Sequence, residues 1–375
     1  MNISDKLNNL PWITHFLLQK ITSSLIRRKS TDCPVHIMFS IVDHFEPFNG
    51  NVDFERARNR IKVWTTTYPD FIKRFSDADG RFPQHTWFYP PHHNHIFLED
   101  LLKLCKQGLG EIEMHLHHNH MEPFPDTSET LKVKILKCID DYSKYKIFCL
   151  PDGAKKFAFI HGDWALDNAR GNTFCGVNNE IDILQELGCY ADFTFPSLGL
   201  AQPIMINKMF YATDNPQKPK SYNWGQVLKR NVINMNAPGL LMISGIIGIR
   251  KSFRSGGFPY VIEASNIDNI DSPSRDRVDY WVKNGVFIGE RNDWVFIKLH
   301  THGAREETWD SLFGDSASEM YQCLLNEYND KKKYFLHFVS AREMYNTVKA
   351  LEQGKTGNPN NYRDFLIAPY EYLKR

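Results

Sequence analysis

The sequence lacks the features that would place it in several common classes of protein. Its 375 residues contain seven cysteines, which are dispersed and form no Cys-x-x-Cys pair, so neither a disulfide framework nor a zinc knuckle is predicted. No stretch reaches the roughly 18 uninterrupted apolar residues that a membrane-spanning helix requires. Lys and Arg number 45 against 44 for Asp and Glu, a balance that argues against a nucleic-acid partner. A reduced, globular, cytoplasmic protein is predicted.

Several motifs of well-known enzyme classes are also absent. There is no Gly-x-x-x-x-Gly-Lys-[Ser/Thr] phosphate loop, no Gly-x-Gly-x-x-Gly after the first predicted strand and no Gly-x-Ser-x-Gly nucleophile elbow. The first strand also lacks the His-x-His of the metal-dependent amidohydrolases. These absences argue against nucleotide-dependent chemistry and a serine nucleophile. Metal-assisted hydrolysis, with water as the nucleophile, is predicted instead.

Residues 1–32 are predicted to form an N-terminal helical extension. The stretch Ile13–Ile26 is amphipathic, and basic residues follow it, whereas a signal peptide carries its charges first. A helix that docks on the rest of the chain is the prediction, and peripheral contact with a membrane surface is the alternative.

Short apolar runs alternate with helical patterns along residues 33–375, which predicts parallel βαβ units in a single α/β domain. Seven or eight units favour a closed (β/α) barrel, and an open doubly wound sheet is the alternative. The segment 201–292 fits the alternation worst and contains six prolines, so it is predicted to be a long excursion over one barrel face. The runs are Val35–Val42, Thr86–Tyr89, Glu111–Leu116, Phe157–Ile160, Asp192–Phe195, Leu240–Ser244, Trp294–Leu299 and Tyr334–Val339.

Histidine is concentrated at the ends of the predicted strands. In a (β/α) barrel the carboxyl ends of the strands converge on the active-site face, so side chains distant in sequence meet in one cleft. Histidine is the commonest metal ligand and also serves as a general acid or base. The twelve residues of fifteen in this position are His44, His85, His92, His93, His95, His115, His117, His118, His120, His161, His300 and His302.

Two strand ends carry the clearest pattern for a metal site. The first strand ends in Asp43 and His44, and because their burial in a core would be costly, an opening is predicted there. A helix cap by Asp43 is the alternative. His115 and His117 are two residues apart on a strand, point to the same side and can hold one cation with a carboxylate. A solvated turn is the alternative for this histidine-rich stretch.

Three other strand ends supply further candidates. The strand Trp294–Leu299 runs into His300 and His302, and Asp192 is predicted to open another strand. The triplet His161, Asp163 and Trp164 follows the run Phe157–Ile160, and His93 lies in a proline-stiffened loop, so substrate contacts are predicted for these residues.

In this order the motifs resemble the polysaccharide deacetylases, the fourth carbohydrate esterase family. The resemblance spans roughly residues 35–302 and is closest to divergent deacetylase-like proteins of bacterial surface-polysaccharide gene clusters. It implies a distorted (β/α) barrel of about seven strands. The motifs are the strand end at Asp43, Glu-Ile-x-x-His at 111–115, Gly-Cys-Tyr-Ala-Asp at 188–192, Leu299-His300, Trp-Ala-Leu-Asp at 164–167 and Ser-Ala-Arg-Glu-Met-Tyr at 340–345.

The resemblance implies that the protein removes an N-acetyl group from a sugar of a cell-surface polysaccharide or its precursor, with zinc as the divalent cation. The sequence departs from the family at two positions: His44 replaces one of its paired aspartates, and Asn119 replaces its second ligand histidine, so His117, His118 or His120 must substitute. The resulting roles are Asp43, His300 and Asp192 as catalytic residues, His44, His115 and His117 as ligands, and His93, His161, Asp163, Trp164 and His302 as substrate contacts.

Two other functions are compatible with the same residues. A glycoside hydrolase would pair Asp43 with Asp163 or Asp192 across the scissile bond. A catalytically inactive sugar-binding barrel would stack sugar rings on aromatic residues, namely Trp87, Phe88, Tyr89, Trp164 and Tyr190. The identity of the sugar and the oligomeric state are left open by the sequence.

Overall fold

The computed structural model describes residues 9–26, 33–93, 95–231, 239–252, 260–289 and 293–374. Parts of the predicted extension (1–8 and 27–32) and of the predicted excursion (232–238, 253–259 and 290–292) lie outside the described residues. Thirteen strands and nine α-helices are described here by their bounds. The strands are β1 Val35–His44, β2 His85–Tyr89, β3 Gly110–Leu116, β4 Phe157–His161, β5 Cys189–Asp192, β6 Phe210–Ala212, β7 Gln226–Val227, β8 Leu240–Met242, β9 Gly248–Lys251, β10 Tyr260–Glu263, β11 Asn266–Ile267, β12 Trp294–Thr301 and β13 Tyr334–Phe338.

The helices follow the strands in the predicted alternation. The apolar residues of the helices after α1 contribute buried side chains to the main core beside the sheet. The helices are α1 Leu10–Ile26, α2 Phe54–Ile72, α3 Leu98–Lys106, α4 Ser128–Ser143, α5 Glu180–Glu186, α6 Arg275–Asn284, α7 Trp309–Phe313, α8 Asp315–Tyr328 and α9 Ala341–Glu352. A mixed α/β fold with one large parallel sheet is therefore confirmed.

The large sheet has 11 strands in the order β11-β12-β1-β2-β3-β4-β5-β8-β6-β7, with β13 paired to β1. The pairs from β11 to β8 are parallel, and the additional pair of β1 with β13 is parallel as well. The register places Val42 opposite His300 and His115 opposite Ile160. The strands that end near Asp43, His115, His161 and His300 thus run in the same direction, as predicted, and their carboxyl ends lie at the same edge.

The sheet curls strongly, although no ladder among the described residues joins its two ends. The Lys298 Nζ of β12 donates hydrogen bonds to the carbonyl oxygens of Phe193 (2.6 Å) and Phe195 (2.7 Å), which follow β5. In a flat sheet the five steps from β12 to β5 would span roughly 24 Å, far beyond the reach of one side chain. A Cβ on Gly245, after β8, would lie 2.4 Å from the Lys298 carbonyl oxygen. The sheet therefore has a barrel-like curvature.

Two sequence predictions need correction in this part of the fold. Asp192 was expected to open a strand that continues to Phe195, but it ends β5, which begins at Cys189. The apolar residues after Asp192 pack in the core without extending the ladder. The predicted excursion 201–292 does not only cross one face, because it also contributes the antiparallel pair of β6 with β8 and the parallel strand β11.

Helix α1 packs on residues of the predicted excursion. Trp12 and Phe16 form a small apolar cluster with Ile206 and Ile247, and the Asn9 side chain accepts a hydrogen bond from the Gly199 backbone N–H at 3.0 Å. This packing supports the docking interpretation of the extension. Among the residues described, no helix combines the length and apolar character needed to cross a membrane.

The 340–345 segment ties the last long helix to the sheet. Ser340 caps α9 and forms a capping box with Glu343. The guanidinium of Arg342 reaches both carboxylate oxygens of Glu111 on β3 at 2.8–3.1 Å, and it also contacts Asp364 at 2.7 Å. Arg342 and Glu111 are both buried, so their ion pair fixes the position of α9 on β3.

Candidate metal centre

Three buried side chains converge where β1 and β3 end. Glu46 lies two residues after β1, and His115 and His117 lie at the end of β3. Their ligating atoms are all within 4.8 Å of one another. The Nε2 atom of His117 is 3.0 Å from Glu46 Oε1, and that of His115 is 4.0 Å from the same oxygen. We call Glu46, His115 and His117 the metal centre.

Groups on β4 and in the turn after it fix the orientation of the His115 and His117 imidazoles. His115 Nδ1 donates to the Ile160 carbonyl oxygen on β4 at 3.0 Å, which directs Nε2 toward Glu46. His117 Nδ1 is hydrogen-bonded to Asp163 Oδ2 at 3.0 Å. Carbonyl and carboxylate partners of this kind orient histidine ligands in metal sites. The His115 Nε2 atom is buried and has no hydrogen-bond partner among the described residues.

The charges of the metal centre are strongly coupled. Burial, together with the nearby His117 ring, lowers the pKa of His115 to about 3, so this imidazole is neutral. Burial alone would lower the pKa of His117, but contacts with Asp163 and Glu46 outweigh it and raise this pKa to about 9. Burial would raise the pKa of Glu46, yet the adjacent His117 and His115 hold it well below its usual range. A cation bound here would displace the proton from His117.

The residues of the metal centre fit a divalent cation. Two imidazoles and one carboxylate are the ligand set of many catalytic zinc sites, in which a fourth position stays open. The partnerless Nε2 of His115 is aimed at the carboxylate without making a hydrogen bond, which leaves its lone pair available. The sequence had assigned His44, His115 and His117 as ligands. The structure brings His115 and His117 together with Glu46, and His44 lies beside them with its ring 4.9 Å from that of His115.

A pocket of about 370 Å³ adjoins the ring of His44. Its walls include Trp164, Asn266, His300 and His302. The rings of His44 and His302 stack at 4.8 Å, and Trp164 lies 5.5 Å from His44 and 6.3 Å from His300. His300 and His302 come from the end of β12 and Trp164 from the turn after β4, so three predicted residues share one cavity.

Burial keeps His300 in this pocket and the adjoining His44 neutral. Burial, with the rings of His302 and His115 nearby, lowers the pKa of His44 well below its usual range. Burial and the Lys298 ammonium act in the same way on the pKa of His300. The His300 Nδ1 atom is buried without a hydrogen-bond partner in the described structure. A neutral imidazole with a free ring nitrogen can accept a proton.

Asp43 and Asp192 have both carboxylate oxygens engaged by the protein. Asp43 Oδ1 accepts from the Gly303 backbone N–H at 2.7 Å, and Oδ2 is bonded to His85 Nε2 at 2.8 Å. Asp192 accepts from the backbone N–H and hydroxyl of Thr194 at 3.0 and 2.7 Å. Within the described structure no hydrogen bond joins Asp192 to His300. Asp43 instead ties the end of β12, which carries the two pocket histidines, to β1.

The remaining predicted residues lie around the metal centre. Asp163 is bonded to His117, and His93 can share Glu46 with His92 in a second grouping of ligand atoms. His161 is fully buried, and its Nε2 faces Glu180 at 3.6 Å, so it does not line the pocket.

Glu46 is the candidate ligand that the sequence analysis missed. It stands in the stretch Asp43-His44-Phe45-Glu46-Pro47 at the first strand end, so its place after a buried strand was the available signal. The pairing of its carboxylate with His117 depends on how β1 and β3 are arranged, which no local pattern contains.

Substituting Gly162 by alanine is expected to weaken cation binding at the metal centre. The added Cβ would lie 2.3–2.5 Å from the His117 ring, which Glu46 and Asp163 hold from two sides. Displacing an oriented ligand typically costs about 10- to 100-fold in affinity. Calorimetric titration with zinc measures the change.

Gly285→Ala is the matched control. Its added Cβ would lie 2.3 Å from Val295, so the new methyl group is as crowded as in Gly162→Ala, but it contacts no residue of the metal centre. Equal zinc affinity in Gly162→Ala and Gly285→Ala would contradict the placement of His117.

Comparison with known proteins gives little beyond this geometry. No family model matches the sequence, and no curated protein matches it significantly. Among solved structures it is similar to the crystal structure of 4-alpha-glucanotransferase from Thermococcus litoralis, at 14% sequence identity and a TM-score of 0.42. The match covers 81% of this chain and 39% of that one, so the chain spans well under half of that structure.

Proposed function

We propose that the protein is a metal-dependent hydrolase that removes an N-acetyl group from a sugar of a cell-surface polysaccharide or its precursor. Its curled sheet would be the distorted (β/α) barrel of a polysaccharide deacetylase. The observation that carries the proposal is the convergence of Glu46, His115 and His117 close to a pocket that holds neutral histidines and an indole.

The metal centre would hold the cation through His115 Nε2, His117 Nε2 and a Glu46 oxygen. A divalent cation in such a site lowers the pKa of a water toward about 7 and polarises a carbonyl oxygen. The protein's contribution is to keep the two imidazoles in fixed orientations through the Ile160 carbonyl and Asp163.

We assign the proton transfer to His300, which lines the pocket. Because its Nδ1 atom has no hydrogen-bond partner in the described structure, this nitrogen is available to take the proton that the attacking water loses. The lowered pKa of His300 then makes the protonated ring a strong acid toward the departing amine. It can then return this proton to the amide nitrogen as the C–N bond breaks, which yields acetate and the free amine. His302, on the same strand end, lines the same pocket and can orient the acetamido group.

The pocket also suits a sugar ring. Trp164 is partly exposed at its wall and offers an apolar face of the kind on which sugar rings stack. The side chains of Asn266, Asp268 and Asp271 line the same pocket and provide hydrogen-bonding groups for the hydroxyls of a sugar. This combination supports a carbohydrate substrate in preference to a peptide.

We expect the purified protein to release acetate from N-acetylglucosamine oligosaccharides, to lose this activity after chelation and to regain it with zinc. Acetate release and metal content are measured on the same samples. New reducing ends without acetate would establish the glycoside hydrolase alternative in place of this proposal. Sugar binding by protein that holds no metal and shows no turnover would establish the inactive sugar-binding barrel.

A further inference from the structure

A second group of ligand atoms lies behind the metal centre and shares no residue with it. His118 follows β3, His161 ends β4, Cys175 lies in the loop after β4 and Glu180 begins α5. All four side chains are fully buried, and their ligating atoms lie within 4.8 Å of one another. We infer that His118, His161, Cys175 and Glu180 form a structural site for a zinc-type divalent cation.

The distances within this group are close to the edges of a coordination tetrahedron, with the contact between Glu180 and His118 somewhat shorter. Glu180 Oε1 is 3.0 Å from His118 Nε2 and 3.6 Å from His161 Nε2, and Glu180 Oε2 is 3.6 Å from Cys175 Sγ. Nitrogen and oxygen ligands at about 2.0 Å and sulfur at about 2.3 Å from a tetrahedral zinc lie roughly 3.3–3.6 Å apart. Imidazole nitrogen, thiolate sulfur and carboxylate oxygen are each ligands that zinc takes in proteins.

Both imidazoles are oriented as ligands are. His161 Nδ1 donates to the Gly162 carbonyl oxygen at 2.5 Å, which leaves Nε2 pointing at Glu180. This Nε2 atom is buried without a hydrogen-bond partner among the described residues. The Nδ1 atom of His118 lies 3.1 Å from Asp126 Oδ2 without forming a hydrogen bond, and its Nε2 is hydrogen-bonded to Glu180 Oε1 at 3.0 Å, so this ring also faces the group through Nε2. Buried polar atoms are rarely left unpaired, and a cation would supply the partner that His161 lacks.

The site would be structural because it is closed. Four protein ligands complete a tetrahedron and leave no position for substrate, whereas the metal centre offers three ligands. The group joins the ends of β3 and β4 to the start of α5 and spans the loop 162–179. That loop carries Asp163, which orients His117, and Trp164, which lines the pocket. A cation bound here would fix the loop that carries Asp163, and Asp163 in turn orients His117 of the metal centre.

Cobalt substitution tests this site independently of the metal centre. Cys175 is the one thiol in these two groups, and Cys323 is the thiol of a further grouping with Asp279 and Glu327. A thiolate-to-cobalt charge-transfer band in the near ultraviolet that persists in Cys323→Ser therefore reports the Cys175 site. We expect the band in cobalt-loaded parent protein and in His115→Ala, and we expect Cys175→Ser to lack it and to bind one equivalent of metal less. Cys138→Ser is the matched control, because Cys138 is also buried but belongs to neither group.

A parent protein without the thiolate band would overturn the inference, and this measurement does not require any variant to fold. Equal metal content in Cys175→Ser and Cys138→Ser would also overturn it, since the group would then be a buried network of hydrogen bonds. Loss of metal in Cys175→Ser with acetate release absent in every sample would uphold this site while refuting the proposed function.

Discussion

His115→Ala is expected to lose the cation of the metal centre and to abolish acetate release. The substitution removes one of three ligands and frees Glu46 and His117 to form a simple ion pair. Disturbing a group that only supports a ligand costs about 10- to 100-fold in metal affinity, so loss of the ligand itself is expected to exceed 100-fold. Elemental analysis after dialysis and acetate release measure the two effects.

The alanine variant is also expected to be less stable than the parent. Although His115 lies at a strand end, its side chain is fully buried. Truncation therefore leaves a cavity and an unpaired Ile160 carbonyl, which together cost about 1–3 kcal/mol of unfolding free energy. His115→Gln, which fills more of this space, separates loss of metal from loss of packing.

His120→Ala is the matched control for His115. His120 is exposed on the turn after β3, and its ring stacks on His117 at 4.7 Å, yet it belongs to no group of ligand atoms in the described structure. It should keep the cation and most of the activity. If His115→Ala retained as much metal as His120→Ala, His115 would not be a ligand.

The parts of the fold that the sequence predicted are those that local patterns determine. The apolar run Val35–Val42 is long enough to be a buried strand, and the polar residues after it locate the end of β1. The same reasoning places His115 and His300 at the carboxyl ends of β3 and β12, which lie at the same edge of the sheet. The curvature of the sheet, in contrast, depends on contacts such as that of Lys298 with the Phe193 carbonyl, which join strands more than 100 residues apart. The opening predicted at Asp43 and His44 is wrong, because both side chains are buried and the Asp43 carboxylate is satisfied by His85 and the Gly303 N–H.

The two groups of ligand atoms likewise combine residues that a local pattern predicted with residues that only the fold brings together. His115 and His117 were identifiable because alternate residues of a strand point to one side. Cys175 and Glu180 come from a loop and a helix start, and nothing in their local sequence distinguishes them from ordinary core and helix-start residues. Asp43 was predicted as a catalytic residue from its position, but its carboxylate is shared between His85 and the Gly303 N–H. Whether a carboxylate at a strand end faces a substrate or a backbone amide is decided by the neighbouring chain.

His300→Ala is expected to keep the cation and to lose turnover. The residue lines the pocket and has a free Nδ1, but it belongs to no group of ligand atoms among the described residues. Proton transfer to the departing amine is made in the transition state, so its loss lowers kcat by about 10²- to 10⁴-fold while substrate binding changes little. Acetate release under saturating and limiting substrate separates kcat from KM.

Two other outcomes of the His300→Ala experiment would contradict this role. Loss of metal would make His300 a ligand, and an unaltered rate would make it a structural residue, so either result would remove it from proton transfer. Added imidazole provides the positive test, because the alanine leaves room in a pocket of about 370 Å³ for a free imidazole to occupy. Partial recovery of kcat in His300→Ala with imidazole is expected. His302→Ala, from the same strand end and the same pocket, should show no such recovery if His302 only orients the acetamido group.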